Sequence, residues 1–201
     1  MSIKILGGKA KGLSLEVPKG DAVRPTSVML RRKLFDAHQN WKGIHFIDVC
    51  AGTGAVSAEA LSRGANSVIC IEGDKKVAQI LKRNFQGLEK SGIDTEKVLI
   101  VIQKAEKWIS HFEAQYSHYT IERKESCVLF FDPPYEVRSL YEAIAKELFE
   151  KDWFKGQVWI ESDDQKGVKE SELFSLTNKE FKKLYRQGTS FVAIYDCREH
   201  S

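Results

Sequence analysis

The stretch Ile44-His45-Phe46-Ile47-Asp48-Val49-Cys50-Ala51-Gly52-Thr53-Gly54-Ala55-Val56-Ser57 decides the fold. A mostly apolar run carries an acid near its end, two glycines follow with one residue between them, and Ala55 to Arg63 has the composition of a helix. The segment reads as a strand, a glycine turn and a helix. Gly52 and Gly54 permit positive φ and let backbone approach a ligand closely, while the helix start behind them offers free N–H groups. A second strand, Ser67-Val68-Ile69-Cys70-Ile71, leads to Glu72. That acid falls close to the roughly 20-residue offset at which a carboxylate reaches a ribose diol in nucleotide-binding α/β folds. Turn and acid together predict an adenosine site. A dinucleotide fingerprint wants a third glycine three residues after the second, where Ser57 stands, so NAD and FAD are disfavoured. No G-x-x-x-x-G-K-[ST] run exists either, which disfavours a P-loop nucleoside triphosphatase.

Working outward, Cys127-Val128-Leu129-Phe130-Phe131 is short, apolar and aromatic. It reads as a buried strand that delivers Asp132-Pro133-Pro134-Tyr135 to its carboxyl end. Each proline fixes φ and lacks an N–H, so the turn is stiff and its carbonyls stay free as acceptors. Asp132 and a proline carbonyl can accept the two hydrogens of a planar exocyclic amine, and Tyr135 offers a face for a base. The same residues also make a plain strand-terminating turn. Its neighbourhood with the glycine turn decides between the two, and favours a nucleobase amine.

The remaining elements follow from period and punctuation. Lys4-Ile5-Leu6 and Leu13-Ser14-Leu15-Glu16-Val17 flank a glycine-rich turn and predict a β-hairpin with Lys9 and Lys11 at its tip. A helix is expected over 27–40, capped by Thr26 or Ser27, with Leu30, Leu34 and Phe35 inward and Arg31 and Arg32 partly outward. Residues 74–90 are amphipathic, 97–102 form a third strand, 106–114 a helix, and 115–126 a polar loop. Further expectations are a helix over 140–149, a strand over 157–160, and two strands within 180–197 around Gln187-Gly188-Thr189. Alternating strands and helices with a terminal hairpin predict an α/β fold with a doubly wound, mostly parallel sheet and an antiparallel edge.

Composition sets the class. A chain of 201 residues with 42% apolar content is ample for one α/β core, and no linker divides it. No stretch approaches the roughly 20 apolar residues of a membrane span, and the start lacks a signal-peptide core, so a cytoplasmic protein is expected. Cys50, Cys70, Cys127 and Cys197 sit in or beside apolar runs without Cys-x-x-Cys spacing, and the five histidines show no ligand spacing; no metal is expected. Charge is uneven. Residues 1–42 carry nine basic and three acidic side chains, a net +6 against +3 for the whole chain, which leaves −3 for the rest. Such asymmetry suits a polyanion near the N-terminal part, although a solvated basic face gives the same pattern.

On these residues the chain resembles the class I S-adenosylmethionine-dependent methyltransferases, and within them the RsmD family, which methylates a guanine N2 of small-subunit (16S) ribosomal RNA. The resemblance runs through Ile3-Lys4-Ile5-Leu6-Gly7-Gly8, Lys11-Gly12, Leu15-Glu16-Val17-Pro18, Arg24-Pro25-Thr26, Leu34-Phe35, and Asp48 to Ala55. It continues in Glu59-Ala60-Leu61-Ser62-Arg63-Gly64-Ala65, Ile71-Glu72, Asp132-Pro133-Pro134-Tyr135 and Ile160-Glu161-Ser162. The N-terminal segment with Arg-Pro-Thr is its specific part. It implies a Rossmann-like, seven-stranded sheet over 25–201 and a basic hairpin extension over 1–24 that contacts RNA.

It also implies that Asp48, Ala51, Gly52, Thr53 and Gly54 hold the methionine part of the cofactor and that Glu72, beside Gly73, binds the ribose. Asp132, Pro133, Pro134 and Tyr135 would hold the guanine. Lys104-Ala105 stands where relatives carry a small polar residue or acid before the alanine, which leaves the adenine contact to Gln103, Ala105 or backbone. Lys9, Lys11, Arg24, Thr26 and Arg31 are the expected RNA contacts. The implied partner is ribosomal RNA, free or in a small-subunit particle, met by a monomer. Three other readings stay open: a DNA adenine-N6 methyltransferase, a protein glutamine methyltransferase, and a non-catalytic RNA-binding or assembly protein retaining the fold.

Overall fold

The structure is a computed structural model, described here for residues 2–18 and 27–198. It opens with an antiparallel hairpin of β1 (Ser2–Lys4) and β2 (Ser14–Glu16), in which Ile3 pairs with Leu15. Helix α1 (Val28–Ala37) follows. The strands β3 (His45–Val49), β4 (Ser67–Glu72), β5 (Val98–Ile102), β6 (Cys127–Phe131) and β7 (Gln157–Asp163) are parallel to one another. They alternate with α2 (Ala55–Ser62), α3 (Lys75–Lys90), α4 (Ala105–Ser117), α5 (Ile121–Glu125) and α6 (Arg138–Ala145). After α7 (Leu173–Thr177), β8 (Lys183–Gln187) and β9 (Ser190–Asp196) form the closing hairpin, and β9 runs antiparallel to β7. The seven-stranded order is β5-β4-β3-β6-β7-β9-β8. This is the doubly wound, mostly parallel sheet with an antiparallel edge that the sequence predicts.

Central strands of such a sheet are covered on both faces and therefore read as continuous apolar runs. β6 is buried at every position. Val128 and Phe130 point to one side, into a core shared with Phe46, Val68, Cys70 and Trp159. Leu129 and Phe131 point to the other, beside Ile47, Val49, Ile71, Val158 and Ile160. The hairpin is packed into the first of these cores through Ile3, Ile5, Ala10 and Leu15.

The sequence placed the elements more accurately than their ends. The hairpin starts earlier than Lys4, and beyond the strands its pairing continues from Ile5 N to the Leu13 carbonyl at 3.0 Å. Ser27, one of the two expected caps, accepts from Leu30 N at 3.0 Å, and α1 stops at Ala37 rather than residue 40. The expected loop over 115–126 is a correction: it holds the last turn of α4 and the whole of α5, the latter capped by Thr120. The reason is an aromatic stripe, since Trp108, Phe112 and Tyr116 recur every four residues and α4 runs on until Tyr116 is buried. α6 passes into a π turn over Lys146–Glu150, and β7 extends to Asp163, beyond the expected residue 160.

Candidate active site

From β3 the chain moves first to β4 and β5 on one side, then to β6 and β7 on the other. A crevice forms at the carboxyl ends where winding reverses in this way. The turn after β3 occupies it. Cys50 leaves the strand with φ 71°, Ala51 N–H donates to the Ile71 carbonyl at 2.8 Å, and Gly54 N–H returns to the Ala51 carbonyl at 2.8 Å. A non-glycine residue in this backbone region costs on the order of 1–3 kcal/mol and persists where the surroundings impose it. Gly54 has φ 77°, and a Cβ there would lie 2.3 Å from Cδ1 of Leu81, so a side chain would be strained and Leu81 would have to shift.

Three polar side chains brace this turn. The Glu72 carboxylate accepts from Gly52 N–H at 2.8 Å and Asp74 N–H at 2.7 Å. Each of its oxygens retains lone pairs for a ligand's hydroxyls. Asp48 is 1% exposed, and its Oδ2 accepts from Ser57 Oγ at 2.6 Å. Burial pushes the Asp48 carboxyl up to about 7; the Ser57 hydrogen bonds pull it down, and the Glu72 charge pushes it up again. Asn84 of α3 donates from Nδ2 to the Thr53 carbonyl at 2.9 Å and to the Glu16 carbonyl at 3.0 Å, while its Oδ1 accepts from Glu16 N–H at 2.7 Å.

Strand register builds the other half. Val49 pairs with Phe131, and Phe131 with Ile160. Cys50 and Asp132 are the residues that directly follow β3 and β6, and Glu161 follows Ile160 in β7. Asp132 N–H donates to the Val49 carbonyl at 3.3 Å. Asp132 is half-buried, Pro133 buried and Pro134 exposed. Tyr135 is half-buried, and its hydroxyl donates to Oε1 of Glu161 at 3.0 Å. Burial, then the Glu161 and Asp132 charges, hold that hydroxyl far above its ordinary value. An acid-proline turn thus lies against a glycine turn of nucleotide-binding form.

A family model described as Conserved hypothetical protein 95 matches residues 3–196. Among curated proteins, Ribosomal RNA small subunit methyltransferase D of Haemophilus influenzae is 31% identical over 171 residues, 82% of this chain and 80% of that protein. Its Escherichia coli K12 counterpart is 30% identical over 173 residues, 83% of this chain and 77% of that one. The chain belongs to the ribosomal RNA small subunit methyltransferase D family. Solved structures agree on the fold. The Escherichia coli protein yhhF superposes with a TM-score of 0.75 at 23% identity, covering 98% of this chain and 99% of that one. An RNA methyltransferase from Salinibacter ruber in complex with S-adenosyl-L-homocysteine gives 0.56 at 16% identity, covering 89% and 96%.

In this member of the methyltransferase D family the fold gathers Asp48, Ala51, Gly52, Thr53, Gly54 and Glu72 around one turn, with Asp132 to Tyr135 one strand away. Gly73 follows Glu72, and Gln103 N–H donates to the Glu72 carbonyl at 3.1 Å, with buried Ala105 opening α4. Lys9 and Lys11 are exposed on the hairpin turn, which is seated on α2: Lys9 N–H donates to the Ser62 carbonyl at 2.8 Å and Ala10 N–H to Ser62 Oγ at 2.9 Å. Arg24 and Thr26 lie outside the described residues.

Arg31 is a correction. Instead of pointing partly outward it is 0% exposed, on the same stripe of α1 as Leu30, Leu34 and Phe35, and its Nη2 donates to the Lys4 carbonyl at 2.7 Å. Burial lowers its pKa. Its role in the fold is to tie α1 to the hairpin. Sequence reasoning missed Ser57, Asn84 and Glu161. An acid closing the apolar run Val158-Trp159-Ile160 was the available signal for Glu161; nothing local marked Asn84.

Proposed function

We propose that the protein transfers a methyl group from S-adenosylmethionine to the exocyclic N2 of one guanine in small-subunit ribosomal RNA. The observation that carries this reading is the pairing of β3 with β6, which brings an acid-proline turn suited to a planar amine beside a glycine turn at the carboxyl ends of the strands. The residues present fit the cofactor. Glu72 suits the ribose hydroxyls, Asp48 and the backbone of 51–54 suit the methionine part, and Gly73, Gln103 and Ala105 flank the adenine side. The Gly54 cap supplies no side-chain bond to the first turn of α2, where the Ser57 N–H serves Asp48 and the N–H groups of Ala55 and Val56 precede it.

When bound, S-adenosylmethionine supplies an electrophilic methyl on a sulfonium. The chain's own task is placement, which can supply several kcal/mol of the barrier. The Asp132 carboxylate and the Pro133 carbonyl accept the two N2 hydrogens and orient the nitrogen. Tyr135 holds the base by stacking, worth roughly 1–3 kcal/mol against the few kcal/mol needed to expose the base. The N2 proton becomes acidic once the methyl is attached and passes to Asp132 or water, so Asp132 need not be a strong base beforehand. Lys9 and Lys11, with Arg24 and Thr26 by family pattern, meet the RNA backbone. The substrate is ribosomal RNA, alone or in a small-subunit particle, acted on by a cytoplasmic monomer.

Asp132→Ala separates the roles. Turnover is abolished while cofactor affinity, measured by calorimetry, stays within about threefold, because hydrogen bonds to the amine belong to the RNA half of the site. Equal loss of both would overturn this division.

A further inference from the structure

We propose that Glu161 is a positioning residue that, through the hydroxyl of Tyr135, fixes the ring on which the target base stacks and hence the plane in which its amine meets Asp132. The inference rests on Tyr135 being the stacking surface, as proposed above.

An acid at this point of β7 is otherwise unexpected. Glu161 is 1% exposed, and Val158, Trp159 and Ile160 before it belong to the core. A carboxylate removed from water to that degree requires polar partners. A tyrosine that follows Asp132 provides one for the carboxylate, and a second tyrosine holds the backbone of the same residue. Tyr135 Oη donates to the side chain at 3.0 Å, and Tyr141 Oη to the Glu161 main-chain carbonyl at 3.1 Å. The segment carrying the amine cradle is therefore fastened to residue 161 at both side chain and backbone.

On both sides of Tyr135 the segment is already stiff. The prolines fix φ, Val137 N–H closes onto the Pro134 carbonyl at 3.0 Å, and Arg138 reaches Glu172 at 2.8 Å. Rotation of the Tyr135 ring about its own side-chain bonds is the freedom left to the platform, and a hydrogen bond at the far end of the ring removes it. The Tyr135 hydroxyl keeps its proton because burial and the charges of Glu161 and Asp132 oppose its loss. Glu161 is too deeply buried to meet the base itself; it acts through the ring.

The test is steady-state methylation of small-subunit ribosomal RNA by five variants, with cofactor affinity measured in parallel. Tyr135→Phe keeps the ring and loses the bond; KM for RNA should rise about tenfold, the scale of a hydrogen bond to a charged group, with cofactor affinity unchanged. Glu161→Ala should raise KM for RNA as well. Glu161→Gln, which keeps an acceptor oxygen, should lose less than Glu161→Ala. The double variant Tyr135→Phe/Glu161→Ala should lose less than the sum of the two single ones, because both remove the bond they share. Additive losses in the double variant, or an unaltered KM in Tyr135→Phe, would overturn the proposal. If Glu161→Ala does not fold, Tyr135→Phe and Glu161→Gln still decide. Tyr135→Ala distinguishes the two readings: full activity removes the stacking role itself, whereas impaired Tyr135→Ala beside unimpaired Tyr135→Phe removes the Glu161 role alone.

Discussion

At the end of β3, Asp48 is shut away from water and relieved by Ser57, and its carboxyl is raised to about 7. The folded protein therefore keeps a proton that the unfolded chain gives up near the ordinary value of about 4. Stability contributed by this group is present at low pH, declines as pH rises from about 4 to about 7, and is flat above. Asp48→Asn should flatten that slope in thermal melts between pH 4 and 8; an unchanged slope would mean that other groups carry it. A cationic ligand group beside Asp48 favours its ionised form, so cofactor binding should release a proton below pH 7 and tighten with rising pH. Calorimetry in two buffers of different ionisation enthalpy measures that release, and Asp48→Asn should lack it. The sequence pointed to Asp48 because an acid within an apolar run before a glycine turn is a local pattern. Its altered acidity was not legible, since it depends on Ser57 and on the packing of α2 over β3.

The elements that hold the site are joined by a side chain of α3. Asn84 bonds both main-chain groups of Glu16 in β2 and the carbonyl of Thr53 in the glycine turn, so hairpin and turn share one buried amide. Asn84→Ala leaves the buried Thr53 carbonyl and the partly buried main-chain groups of Glu16 without this partner, and should cost about 2 kcal/mol in denaturant unfolding. A loss under 0.5 kcal/mol would show that the contact is replaceable. The sheet strands and main helices were legible because apolar runs and helical period are properties of neighbouring residues. Short elements such as α5 and α7 were not, since five residues carry too little period to read. Arg31 shows the other limit: its spacing put it on the apolar stripe of α1, its charge argued for solvent, and the carbonyl of Lys4 that receives it lies in a strand far away in sequence. Glu161 was hidden in the same way, because the hydroxyl that explains it comes from Tyr135 on the next strand's loop.

Across the whole molecule, the excess positive charge of residues 1–42 is carried partly by a hairpin that is not a loose arm but is bonded to the end of α2, the helix whose start faces the site. Lys9 and Lys11 stand exposed on it. Replacing both with alanine should weaken RNA binding without altering cofactor affinity, and should lower the slope of log K against log salt by about 1.4, two contacts at roughly 0.7 each. An unchanged slope would leave the charge asymmetry without a role in RNA binding. The reaction itself is tested most directly by transfer of labelled methyl from S-adenosylmethionine into small-subunit ribosomal RNA from a strain lacking this gene, as naked RNA and as particles, followed by nucleoside analysis. The expected product is N2-methylguanosine at one position; N6-methyladenosine, or no transfer to either substrate by protein that binds the cofactor, would contradict the assignment.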